Sequence, residues 1–222
     1  NFASIVGAVR EGRTIYENIV KFVRFQLSTN IGAILTVLGA PFMGLATPFT
    51  AVQILWVNII MDGPPAMTLG VEPARPGIMD QPPRSDDAAI LSPQRMWRIA
   101  LYGLTMAVGT LGVYAWAMAA GDTARAMTLA FTTFVLFQFF NIFNARTEHG
   151  SAFNRQFFSN GKLWVALLGV VLLQIVVVHW APAQTVFDTV DLSAEDWLIA
   201  TVVASSTLLL EEARKLLFRL VR

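Results

Sequence analysis

From Phe25 to Met61 the chain runs for 37 residues without a charged side chain. A helix needs ~20 apolar residues to cross ~30 Å of hydrocarbon, so this stretch is nearly two spans long. Gly39-Ala40-Pro41 and Thr47-Pro48 punctuate it as helix, turn, helix. Four more uncharged windows follow: Ile99–Gly121 (23 residues), Ala126–Ala145 (20), Leu163–Phe187 (25) and Trp197–Leu210 (14). Composition agrees, with 55% apolar and only 14% charged residues, where a soluble domain averages about 25% charged. A soluble, disordered or nucleic-acid-binding chain is thereby excluded. The absence of cysteine removes disulfides, thiolate-bound zinc and thiol catalysis. The N-terminal region is unlike a secretory signal, because Arg10, Arg13, Lys21 and Arg24 continue through it and no small-residue cleavage site follows a short apolar core.

The windows predict an all-α polytopic membrane protein, a six-helix bundle with spans near 14–40, 49–68, 95–120, 124–145, 161–181 and 196–219. With both termini cytoplasmic, 15 of the 16 Lys and Arg lie inside and only Arg125 outside. That asymmetry is what the positive-inside rule requires. The outer loops carry Asp122, Asp188, Asp191, Glu195 and Asp196 instead. The proline-rich segment 69–94 is expected to be an extended cytoplasmic loop, and 182–196 an acidic outer loop. No segment is long enough to house a soluble catalytic domain.

One carboxylate, Asp62, lies inside a span. A charge at the bilayer centre costs ~2.5–3.5 kcal/mol or more, so it faces a bundle interior and marks an ion or substrate path. Asn58 precedes it by four residues, on the same helix face. Gly63-Pro64-Pro65 follows at once; neither proline has an N–H, and the preceding turn loses its hydrogen bonds. Carboxylate, amide and freed carbonyls make a site for a hard cation. Ca²⁺ takes 6–8 oxygens, more than Asn58 and Asp62 supply, so other segments must contribute. Asn30 on the first helix is either a ligand or a polar contact between helices. Gln138, Asn141 and Asn144 read better as such contacts. His149 and His179 are too isolated to form a metal pair, Met61 and Met67 are packing residues, and the six tryptophans mark interfaces or packing. Glu211 and Glu212 precede Arg214 and Lys215 at salt-bridge spacing.

The segment Glu11-Gly12-Arg13-Thr14-Ile15-Tyr16-Glu17-Asn18-Ile19, followed by Lys21-Phe22, resembles the stalk and fifth membrane helix of type II P-type ATPases. Residues 53–66, Gln-Ile-Leu-Trp-Val-Asn-Ile-Ile-Met-Asp-Gly-Pro-Pro-Ala, with Leu69-Gly70-Val71-Glu72-Pro73 and Met79-Asp80-Gln81-Pro82-Pro83-Arg84, resemble the sixth helix and the loop after it. The likeness is closest to the calcium and manganese pumps of the secretory pathway and their prokaryotic relatives. It implies that the chain corresponds to the last six of ten membrane helices. It also implies a multi-pass protein of a prokaryotic plasma membrane, with lipid and the missing N-terminal part of the pump as partners.

By the same resemblance, Asn58 and Asp62 are ligands of the calcium site that all these pumps keep. Asn30 matches a ligand of the second site found in two-site pumps. Ala33, Met61 and Gln138 stand where those have oxygen-bearing ligands, which implies one ion per cycle and leaves Gln138 a weak candidate. The phosphorylated Asp motif, the nucleotide-binding and actuator domains and the fourth helix are absent. No catalytic or cofactor residue is therefore expected in this chain, and Mg-ATP would serve only the full-length enzyme. The expected organisation is a stalk at 1–24, a first helix pair at 14–68 that holds the cation site, a coupling loop at 69–94 and a four-helix support domain at 95–222. The expected function is the cation-translocation module of an ATP-driven calcium pump, with manganese an open second cargo. The alternative is a stand-alone, non-catalytic subunit or regulator derived from such a pump.

Overall fold

A computed structural model describes residues 1–60, 63–83, 89–148, 150–154 and 156–220, the side chains of 218 and 219 apart. Among the described residues there are eight helices and no strand: α1 (Phe2–Phe42), α2 (Ala51–Ile60), α3 (Pro64–Gly70), α4 (Pro93–Met118), α5 (Thr123–Arg146), α6 (Gly161–His179), α7 (Ala181–Phe187) and α8 (Ala194–Leu220). Their starts are written locally. Thr50 and Gln53 form a reciprocal box at the head of α2, at 3.2 and 3.3 Å. Ser92, Asp122 and Asn160 each accept a backbone N–H at the starts of α4, α5 and α6.

The protein is an all-α membrane bundle. Helices α1, α4, α5 and α6 are each long and apolar enough to cross a bilayer. Two further crossings follow from contacts. Helix α8 bears charges at both ends, but Asp196 near its start binds Arg125 at the head of α5, while Lys215 near its end meets Thr147 just past α5. It therefore runs beside α5 along its whole length. The α2–α3 pair runs from the outer end, where Gln53 donates to the Phe187 carbonyl at 2.9 Å, to the inner end. There Asn160 donates to the Thr68 carbonyl at 3.0 Å.

Helix α5 is apolar on every side, and a helix of that kind belongs in the interior. Leu129, Phe131, Phe134, Phe137 and Ile142 are all fully buried. Helix α1 packs most extensively on α4, and glycine makes this possible. A Cβ on Gly103 would lie 2.9 Å from Ile31 Cβ and 3.1 Å from the Gly32 nitrogen. The outward faces of α4, α6 and α8 carry Val108, Val165, Leu168, Leu198 and Val202, all exposed, as lipid contact requires.

Three sequence expectations need adjustment. The first helix begins at Phe2, ahead of the span expected near 14–40, so the stalk and the first span are one continuous helix. The outer segment 182–196 holds all but the first residue of the short helix α7, which ends on Asp188 at φ 52°. The cytoplasmic segment after α3 is not simply extended. It turns through Gly77 (φ 74°) with an Asp80 N–H bond to the Gly77 carbonyl at 3.0 Å. Arg13 on the stalk holds that turn by donating to the carbonyls of Ile78 (2.9 Å) and Gln81 (2.8 Å).

Candidate cation site

The second crossing is broken where the prolines dictate. Helix α2 is described as far as Ile60, Gly63 is non-helical, and α3 starts at Pro64. In an unbroken helix the Ile60 carbonyl would accept from residue 64 and the Met61 carbonyl from residue 65; both positions are proline and have no N–H to give. Gly63 has φ −82° and ψ −101°. A Cβ there would collide with the Ile59 carbonyl oxygen, so only glycine fits at this joint. Thr68 returns a hydroxyl bond to the Pro65 carbonyl at 2.6 Å, which steadies the restarted helix. Met61 and Asp62 lie outside the described residues.

Asn30 on α1 and Asn58 on α2 are both exposed, and among the described residues neither side chain has a hydrogen-bond partner. Their neighbours Thr29 and Val57 are buried. Each helix therefore turns one face to the bundle and leaves an amide on its open face. In hydrocarbon an unpartnered amide costs roughly 2–7 kcal/mol, so this face of the bundle needs a polar ligand or further protein against it.

Gln138 is placed differently. It is fully buried in α5; its Oε1 accepts from the Thr29 hydroxyl at 2.5 Å, and its amide donates to the Phe134 carbonyl at 3.3 Å. Its oxygen is thus engaged between α1 and α5. Asn141 donates to Ser28 Oγ at 2.8 Å and Asn144 to the Thr207 carbonyl at 2.9 Å, each joining α5 to another helix. His179 pairs with Asp191 at 2.9 Å and accepts from the Trp197 indole at 3.1 Å at the outer end; His149 lies outside the described residues. Among the described residues no group of three or more His, Asp or Glu is placed to hold a metal.

The cytoplasmic end holds what the sequence did not single out. Arg24, nearly fully buried, donates to the carbonyls of Asn144 (3.3 Å) and Ala145 (3.4 Å). It thereby places a cation at the negative end of α5. Glu72 is buried between Lys21 and Arg146. Arg95 and Glu148 form a two-bond pair at 2.7 and 2.9 Å. A cavity of about 830 Å³ opens between the stalk, residues 72–83 and the end of α5. Of the cations assigned to the inside by charge counting, Arg13, Lys21, Arg24, Arg75, Arg95 and Arg146 gather around this cavity. Only a three-dimensional arrangement reveals which carboxylate each one meets.

The family model described as "Cation transporting ATPase, C-terminus" matches residues 46–217. Calcium-transporting ATPase type 2C member 2 of Mus musculus is 42% identical over 218 residues, covering 97% of this chain and 23% of that protein. Calcium-transporting ATPase 1 of Schizosaccharomyces pombe is 40% identical over 216 residues, covering 97% and 24%. Calcium-transporting ATPase type 2C member 1 of Homo sapiens is 39% identical over 217 residues, with the same coverage. The chain spans about a quarter of the length of these relatives.

Proposed function

Because the chain belongs to the cation-transporting ATPases, in the part described as their C-terminus, we propose that it is the cation-translocation module of an ATP-driven calcium pump. The observation that carries this reading is the non-helical joint at Gly63, just ahead of Pro64-Pro65 and next in sequence to Asp62, on a face where Asn30 and Asn58 stand open. Asp62 supplies the charge that neutralises the ion, Asn58 a neutral oxygen, and the break the carbonyls of Ile60 and Met61. Six to eight oxygens are needed for Ca²⁺, and the remainder come from a part of the full-length pump outside this chain. With Gln138 engaged by Thr29, one ion per cycle is the reading that fits. Asn30 then serves as a network residue beside the ion. Manganese, whose ligand preference is also for oxygen, is admitted by the same donor set.

In the full-length pump, ATP with Mg²⁺ drives phosphorylation elsewhere in the protein. The continuous stalk and first span, 2–42, and the turn at 77–81 that Arg13 holds carry the resulting movement to the break. The support role falls to residues 95–222, whose central helix α5 is mostly buried. We place the pump in a prokaryotic plasma membrane, on the resemblance to the prokaryotic members of the group. Similarity to calcium pumps along 97% of the chain favours this reading over a stand-alone regulator.

The test is uptake of ⁴⁵Ca²⁺ by inside-out vesicles that contain the full-length protein. Uptake that requires ATP, with binding that saturates near one Ca²⁺ per phosphorylatable protein, is expected. Absence of ATP-dependent uptake overturns the transport reading, and saturation near two overturns the single-ion site.

A further inference from the structure

Glu72 stands two residues beyond the end of α3 and is only 7% exposed. Its carboxylate is shared by two cations from different elements. Lys21 of the stalk helix lies 2.9 Å from Oε2, and Arg146, the last residue of α5, bonds to Oε1. Asn160, which caps α6, approaches Oε1 at 3.5 Å and donates to the Thr68 carbonyl inside α3 at 3.0 Å. The backbone is tied as well. Asn18 donates to the Glu72 carbonyl at 2.8 Å and to the Gly70 carbonyl at 3.4 Å, and its own Oδ1 accepts from Lys21 at 3.1 Å. Arg146 also donates to the carbonyls of Phe157 and Gln156, at 2.9 and 3.2 Å.

We infer that Glu72 is the positioning residue that joins the stalk to the cation-site helix, so that displacement of α1 moves α3 and the break above it. Several features select it for that role. The knot touches α3, the short half of the broken span, at three of its last residues or the two after it. Its carboxylate bridges the stalk and the end of a second membrane helix, α5. The stalk runs unbroken from Phe2 through Lys21 and on to Asn30, so it acts as a rigid lever at this point. Buried charges hold geometry when they are mutually paired and lose it sharply when one partner is removed. Glu72 does not touch the transported ion.

This inference rests on the transport reading above, and its test keeps the two apart. Full-length pump is prepared as wild type, Glu72→Gln, Lys21→Met and Lys21→Arg. Lys21→Met leaves the Glu72–Arg146 pair in place and so spares the fold. Three quantities are read: Ca²⁺ transported per ATP hydrolysed, half-saturating Ca²⁺ for phosphoenzyme formation, and thermal midpoint in detergent. Glu72→Gln and Lys21→Met are expected to lower the ratio of ions to ATP by threefold or more. Half-saturating Ca²⁺ stays within twofold, and Lys21→Arg keeps the wild-type ratio. A wild-type ratio in Lys21→Met and Glu72→Gln overturns the inference. So does a parallel fall of every activity with the thermal midpoint, which marks a purely structural contact. A wild type that neither phosphorylates nor transports in response to Ca²⁺ overturns the transport reading itself.

Discussion

Glycine decides how closely the helices approach, and its effect can be tested one residue at a time. At Gly103 an added Cβ meets backbone and a branched side chain of α1, neither of which can rotate away. Overpacking of this kind costs about 1–3 kcal/mol. Gly103→Ala is therefore expected to lower the thermal midpoint in detergent. Gly112→Ala is the matched control, because nothing lies within 4 Å of its Cβ position, and its midpoint should equal or exceed wild type. The same comparison separates what a sequence makes legible from what it hides. Asp62, Asn58 and Gly63-Pro64-Pro65 stand out because a charge and two prolines are anomalous inside a span. Gly103 and Glu72 carry no such anomaly, since their importance comes from neighbours distant in sequence: Ile31, 72 residues from Gly103, and Lys21 and Arg146, 51 and 74 residues from Glu72.

Among the elements, the broken second crossing is the one whose local chemistry matters most. Gly63→Ala forces a Cβ onto the Ile59 carbonyl. Strain of about 1–3 kcal/mol placed on the ion-bound state corresponds to a loss of about one to two powers of ten in affinity. Half-saturating Ca²⁺ for phosphoenzyme formation in the full-length pump should rise accordingly, with expression unchanged. The double change Pro64→Ala with Pro65→Ala restores the two missing N–H donors and lets the helix close over the carbonyls of Ile60 and Met61. Calcium-dependent phosphorylation is expected to be lost while the protein still purifies as a single species. An unchanged response in both variants would show that the break has no part in ion binding. Helix existence and order were legible here from uncharged windows and prolines. The start of α1 at Phe2 was not, because its first turns lie in a stretch interrupted by charges, and α7 was not, because seven residues with a proline at the start give no helical period.

For the whole molecule, the charge asymmetry sets the orientation and the ion pairs show its two ends. Lys21, Arg95, Arg146 and Lys215 meet their partners at one end, and Arg125 meets Asp196 at the other. This chain has no cysteine, so introduced ones report cleanly within it. In sealed right-side-out vesicles Gly121→Cys should react with an impermeant maleimide at once, and Phe153→Cys only after permeabilisation; equal reactivity of the two would reject the assigned topology. The positions of Gln138, Asn141 and Asn144 as helix-joining residues complete a frame in which α5 is fixed and the α1–α3 side is open. Every part of the account then converges on one carboxylate as the charge that the transported ion requires. Its most direct test is Asp62→Asn in the full-length pump, measured as phosphoenzyme formation from ATP across a range of Ca²⁺. Loss of the Ca²⁺ response, with phosphorylation by inorganic phosphate retained, is the result expected of a ligand. An unaltered half-saturating Ca²⁺ concentration would contradict the account.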